Sequence, residues 1–139
     1  MHSMRIVLAL LILLGSLSVS ANEFDDTKAL AEQGDADAQF ALGYNYYAGK
    51  GTPQDYKEAL KWYRASAEQG DQYAQSSLAK MYYDGEGTSQ DYKEALRWFK
   101  ASAVQGYASS QYYLAIMYQN GEGTIQDYKE AFKWFGASA

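Results

Sequence analysis

DYKEALKWY runs from Asp55 to Tyr63, DYKEALRWF from Asp91 to Phe99, and DYKEAFKWF from Asp127 to Phe135. The three copies stand 36 residues apart. Six of these nine positions are identical in all three copies and the other three change conservatively, which is not a chance event. The same register extends outward from them. The turn Gly49-Lys50-Gly51-Thr52 returns as Gly85-Glu86-Gly87-Thr88 and as Gly121-Glu122-Gly123-Thr124. Gly34, Gly70 and Gly106 keep the spacing, as do Leu42, Leu78 and Leu114, then Tyr46, Tyr82 and Tyr118. A fixed period of this length is the sequence signature of stacked supersecondary units.

Each unit reads as two helices. Ala38, Ala41, Leu42, Asn45 and Tyr46 recur at i, i+3, i+4, i+7 and i+8, which is one face of a helix. The copies of that face are Ala74, Ser77, Leu78, Met81, Tyr82 and Ser110, Tyr113, Leu114, Met117, Tyr118. The second helix carries Ala59, Trp62, Tyr63 and Ser66 at helical spacing. The paired glycines of each turn break the first helix and let the chain reverse. Gly70 and Gly106 fall where a helix C-terminus takes a left-handed residue. Two overlapping caps precede the second helix, Thr52-x-x-Asp55 and Asp55-x-x-Glu58 with their copies. Pro53 favours the earlier start. A two-helix unit this short cannot bury its apolar stripe alone, so neighbours stack. The expected fold is all-α, a right-handed α-solenoid of about three 36-residue helix-turn-helix repeats, at 34–69, 70–105 and 106–139.

Ala38, Leu42, Gly43, Tyr46, Gly49, Gly51, then Asp55, Ala59, Trp62 and Ser66-Ala67 together resemble the Sel-one-like repeat (SLR), a relative of the tetratricopeptide repeat. The resemblance covers the chain from about Ala29 to Ala139. Its departures, Gly43 to Ala79 and Ala115, and Ala38 to Ser110, keep the side chain small. It implies adaptor or regulatory roles, often in bacterial envelope processes or host contact. It also implies a concave face lined by the first helix of each unit.

Both ends carry further expectations. Arg5 followed by the apolar run Ile6 to Leu14, then small residues up to Val19-Ser20-Ala21, reads as a signal peptide over 1–21. The apolar run is too short to span a bilayer. Cleavage after Ala21 leaves a repeat domain over 22–139 with no histidine, no cysteine and no membrane span, and with 11 cationic against 17 acidic side chains. The predicted location is secreted or periplasmic. Phe24 to Gln33 reads as the second helix of an incomplete leading unit, a partial helix over 24–33. Ala137-Ser138-Ala139 matches Ala65-Ser66-Ala67 without the following Glu-Gln-Gly. The expectation is a longer array, or a last helix that is exposed or covered by a partner.

Composition removes most chemistry. Without Cys, and with His2 in the leader, there is no thiol nucleophile, no Ser-His-Asp triad and no thiolate or imidazole metal site. No cofactor is expected. The acidic balance argues against nucleic acid. The repeated Asp-x-x-Glu pairs read as caps, because an active site would occur once. Ser77-Leu78-Ala79-Lys80 spells S-x-x-K, a nucleophile motif. Some SLR proteins have been linked to β-lactam binding. Yet no Ser-Asp-Asn or Lys-Thr-Gly accompanies the motif, Ser77 lies on the packing face, and those relatives carry paired cysteines that this chain lacks. No catalytic residue is therefore assigned. The Gly-x-Gly-Thr turns follow helices, unlike a phosphate cradle, and Asp84-Gly85-Glu86-Gly87 reads as solvated surface.

The face that the resemblance makes concave is the remaining candidate. Its positions are Asp37, Phe40, Tyr44, Tyr47 and Ala48 in the first unit. The second has Tyr73, Ser76, Lys80, Tyr83 and Asp84, and the third Ser109, Tyr112, Ile116, Gln119 and Asn120. Unlike the core, they vary between units, and six are aromatic, a residue class that anchors interfaces. The expected function is an interaction module binding a protein or peptide in this groove. The alternative is a carbohydrate or peptidoglycan binder, using tyrosine rings as platforms beside Asp37, Asn45, Gln119 and Asn120. A β-lactamase-like hydrolase acting through Ser77 is a distant third.

Overall fold

A computed structural model of the chain describes residues 22–139. The predicted signal peptide lies outside the described residues. Seven helices follow in order: α1 (22–32), α2 (Ala36–Ala48), α3 (Tyr56–Glu68), α4 (Gln72–Asp84), α5 (Tyr92–Ala103), α6 (Ala108–Asn120) and α7 (Tyr128–Ser138). There is no strand among the described residues. Each helix packs on the next in sequence, so α2–α3, α4–α5 and α6–α7 form the units and α3–α4 and α5–α6 join them. The architecture is an all-α solenoid.

The core follows the periodic positions. Leu42, Leu78 and Leu114 have no exposed surface, and neither do Ala59, Ala95 and Phe99. Each fully buried leucine contributes about 1.5–3 kcal/mol. Small residues at Ala67, Ala79, Ala103 and Ala115 let helices approach closely, and all four are buried. Helix α1 buries Ala31 against Ala38 and Leu42, with Phe24 set edge-on to Tyr46. It therefore stands to α2 as α3 stands to α4.

Buried polar side chains repeat as regularly as the leucines. Gln39, Gln75 and Gln111 donate to the Ala31, Ala67 and Ala103 carbonyls of the preceding helix. Gln69 donates to Gln39 Oε1 and to the Gly34 carbonyl, and Gln105 copies both bonds one unit later. Ser66 and Ser102 donate to the Ala36 and Gln72 carbonyls at 2.8 Å. Every bond joins helix ends, and a buried amide left unmade would cost about 1–3 kcal/mol. The Gln39, Gln75 and Gln111 bonds tie each unit to the helix before it, and the Gln69, Gln105, Ser66 and Ser102 bonds tie the two helices of one unit.

The second helices start later than Pro53 implies. Asp55, Asp91 and Asp127 are the N-caps, each accepting from the backbone N–H groups two and three residues on. The backbone N–H of each aspartate donates back to Tyr46, Tyr82 or Tyr118 at the end of the first helix. That bond holds the turn open and keeps the threonine position outside the helix. Asp35 and Asp71 cap the first helices, each accepting from the backbone N–H three residues on, while Tyr107 offers no side-chain cap and sets its ring edge-on to Tyr73.

The two glycines of the turn have different tasks. Gly85 is the left-handed C-cap of α4, with φ 72°. A Cβ on Gly87 would come within 2.5 Å of the Tyr56 carbonyl oxygen in the preceding unit, and one on Gly123 within 2.4 Å of that of Tyr92. The second glycine is thus a contact between units as well as a reversal within one.

Candidate partner-binding face

The groove positions separate into two groups. Tyr44, Tyr73 and Tyr112 are about half exposed, at 50%, 48% and 50%. Asp37, Lys80 and Gln119 are also exposed, and Ser76 and Ile116 are half-buried. Phe40, Tyr47 and Tyr83, by contrast, are largely taken up by packing. Phe40 lies between Tyr63 and Tyr73, at centroid distances of 5.7 and 6.2 Å. Tyr47 and Tyr83 pack on Tyr56 and Tyr92, each at 5.1 Å. An aromatic ribbon therefore runs along the first helices, with three rings standing out of it.

Glu86 and Glu122 belong to this face, although the turn that carries Glu86 reads in the sequence as solvated surface. The Tyr47 hydroxyl donates to Glu86 at 3.0 Å, and the Tyr83 hydroxyl to Glu122 at 2.9 Å. Each bond spans one repeat plus three residues, so it ties the first helix of one unit to the turn of the next. Burial first, and then the carboxylate, raise both phenols; Tyr83 is pushed up to about 12. The replacement of Lys50 by Glu86 and Glu122 at a fixed register position is the signal that could have shown this.

Between α2, α3 and α4 the ribbon opens into a cavity of about 270 Å³. Tyr63 and Met81 form part of its wall, with Tyr44 and Tyr47 on one side and Ser77, Lys80 and Glu86 on the other. Ser77 is thus not a packing residue in the sense its helical register implies; it is half-buried and faces the cavity. Burial raises the Tyr63 phenol well above its ordinary range, and the Ser77 hydroxyl beside it acts in the opposite direction.

Two differences in sequence account for the opening. Position 77 is Ser, whereas its counterpart one unit on is Tyr113, whose ring stacks on Phe99 at 4.8 Å and 5°. Phe99 is the counterpart of Tyr63. Gly43, where the other units have Ala79 and Ala115, lets the Tyr63 ring lie directly on α2, since a Cβ there would come within 2.6 Å of it. With no ring at position 77 and Tyr63 drawn back onto Gly43, the space occupied by Tyr113 at the second junction is open at the first.

Ser77 and Lys80 line the same cavity, so S-x-x-K has a geometric basis. The lysine is nevertheless in the wrong state for a base. Its ammonium pairs with Asp84, and that bond raises its pKa. A lysine that activates a nucleophile needs the reverse shift. Among the described residues, no group of three acidic side chains is placed to hold a metal ion.

The chain matches the Sel1 repeat family model at residues 36–71, 72–107 and 108–139. A search of curated proteins gave no match. Among solved structures, it is similar to a protective antigen of uropathogenic Escherichia coli with an SLR fold, at 40% identity and a TM-score of 0.80 over 83% of this chain. The chain spans 25% of the length of that structure. It is also similar to a Sel1 repeat protein from Oxalobacter formigenes, at 35% identity and a TM-score of 0.76, covering 84% of this chain and 87% of the other.

Proposed function

The chain belongs to the Sel1 repeat family, and from that premise we propose that it is a secreted or periplasmic adaptor that binds an extended segment of a partner protein along its first-helix face. Sel1 repeat proteins are generally protein-interaction modules. The observation that carries the reading here is the aromatic ribbon with Tyr44, Tyr73 and Tyr112 half exposed, one from each first helix. Exposed tyrosines on a stiff frame lose little entropy on binding and bury large areas, which is how interface anchors work. The location rests on the apolar leader and its small-residue cleavage pattern at Val19-Ser20-Ala21. We take the protein as non-catalytic because the Lys80 ammonium beside Ser77 is held by Asp84.

The test immobilises the chain and captures partners from an envelope extract of its source. The control is Tyr44→Ala with Tyr73→Ala and Tyr112→Ala. These rings are half in solvent, so the variant is expected to keep the parent's circular dichroism. A protein retained by the parent and lost by the folded variant supports the adaptor reading. Equal retention by both removes this face from it.

A further inference from the structure

The junctions α3–α4 and α5–α6 are built from corresponding residues, yet only the second receives an aromatic ring from its incoming first helix at the position of Ser77 and Tyr113. Tyr113 lies flat on Phe99 and edge-on to Tyr83, at centroid distances of 4.8 and 5.9 Å. The counterparts of Phe99 and Tyr83 at the first junction are Tyr63 and Tyr47. Both line the cavity there; Tyr63 is buried under Phe40 of α2, at 5.7 Å, and receives no ring from α4, where Ser77 stands in place of Tyr113. We propose that the first-junction cavity is a pocket for one aromatic side chain, a tyrosine of the bound partner segment, taking beside Ser77 the space that Tyr113 fills from within at the second junction. The pocket rests on the groove reading above and specifies which side chain the groove selects.

Size and chemistry agree with that occupant. A dry cavity of roughly 150 Å³ holds one benzene ring, and drug-sized ligands take roughly 300–1,000 Å³. At about 270 Å³ the space suits a single ring with its methylene and a polar tip. The lining supplies aromatic surface from Tyr44 and Tyr47 for offset or edge-on packing. It also supplies polar atoms from Ser77, Lys80 and Glu86 for a phenol oxygen.

The probe is N-acetyl-tyrosinamide, titrated into the isotope-labelled protein and followed by amide chemical shifts, with N-acetyl-alaninamide as the control. Saturable shifts are expected at Gly43, Tyr44 and Tyr63, with a dissociation constant on the order of 1 mM for so small a ligand, and none from the alanine compound. Ser77→Tyr, which supplies the ring from within, is expected to weaken binding at least tenfold. Equal shifts from the two compounds, or unchanged binding in folded Ser77→Tyr, would overturn the pocket.

Tyr113→Ser provides the reciprocal test should Ser77→Tyr not fold. It is expected to add a second set of saturable shifts at Ala79 and Ile116, and their absence in a folded variant would also overturn the pocket. The outcome is separable from the groove reading. Groove-dependent capture without tyrosinamide binding removes the pocket and leaves the groove. Tyrosinamide binding without groove-dependent capture retains the pocket and removes the partner segment from it.

Discussion

The junction between the first and second repeats and the junction between the second and third share their frame and differ at their centre. Both are fixed by a buried glutamine, Gln75 or Gln111, bonded to the preceding helix, a tyrosine-to-glutamate bond and a glycine pressed on a backbone carbonyl. At the centre, one has Gly43, Tyr63 and Ser77, and the other has Ala79, Phe99 and Tyr113. The frame sets how units stack, and three side chains decide whether the stack is closed or open. A repeat protein can therefore vary a binding site without altering its architecture, because the two properties rest on different residues.

The largest expected effect compares the two rings at the centre. Phe99 is fully buried and stacked, so Phe99→Ala is expected to cost about 3–5 kcal/mol in chemical denaturation. Tyr63→Ala is expected to cost less, because that ring is tilted on Phe40 at 5.7 Å rather than stacked, and it borders the cavity. Equal losses would mean that the first junction is packed as tightly as the second.

The frame, in contrast, should respond alike at both junctions. Gly87→Ala and Gly123→Ala each add a methyl against a carbonyl oxygen at positive φ. Each is expected to cost roughly 1–3 kcal/mol, with the two values close together. A large difference between them would break the claim of a common frame.

Smaller effects are expected where the junctions exchange character. Filling the first with Ser77→Tyr is expected to gain about 0.5–2 kcal/mol, as cavity-filling changes do. Emptying the second with Tyr113→Ser is expected to lose about 1–3 kcal/mol of ring burial. Opposite signs in thermal unfolding are the result that supports the comparison.

The smallest effect concerns pH. Folding raises the Tyr83 phenol from 10.0 to about 12 and raises Tyr47 as well. The folded state keeps protons that the unfolded chain loses, so this stability is complete below pH 10. It declines as pH rises towards about 12. Absorbance titration of tyrosinate should show late-ionising phenols, and Tyr83→Phe should reduce their number and flatten the alkaline loss of stability.

Most of the frame is legible in the sequence because it is written three times. The 36-residue period, the Leu42-Leu78-Leu114 core and the Asp55-Asp91-Asp127 caps all follow from positions that repeat. The cavity is less legible because it arises where the repeat fails. Ser77 and Tyr113 share a helical register, and register alone places both on a packing face. Only side-chain volume, set against the ring opposite, separates a filler from a gap. Periodicity likewise makes Phe40, Tyr47 and Tyr83 equivalent to Tyr44, Tyr73 and Tyr112 as groove rings. Which of them pack is decided by neighbours on another helix, such as Tyr56 and Tyr92 at the start of the second helix of the same unit. The bonds from Tyr47 to Glu86 and from Tyr83 to Glu122 cross between units, so no single helical face reveals them.

One measurement tests the central claim directly: amide-shift mapping of N-acetyl-tyrosinamide on the exchanged chain, Ser77→Tyr with Tyr113→Ser. The seven helices of residues 22–139 and their stacking should be unchanged, while the site should move by one repeat. Shifts that leave Gly43 and Tyr44 and appear at Ala79 and Ile116 are the expected result. Shifts that stay at Gly43 and Tyr44, or that fail to appear at the second junction of the folded chain, would contradict the account.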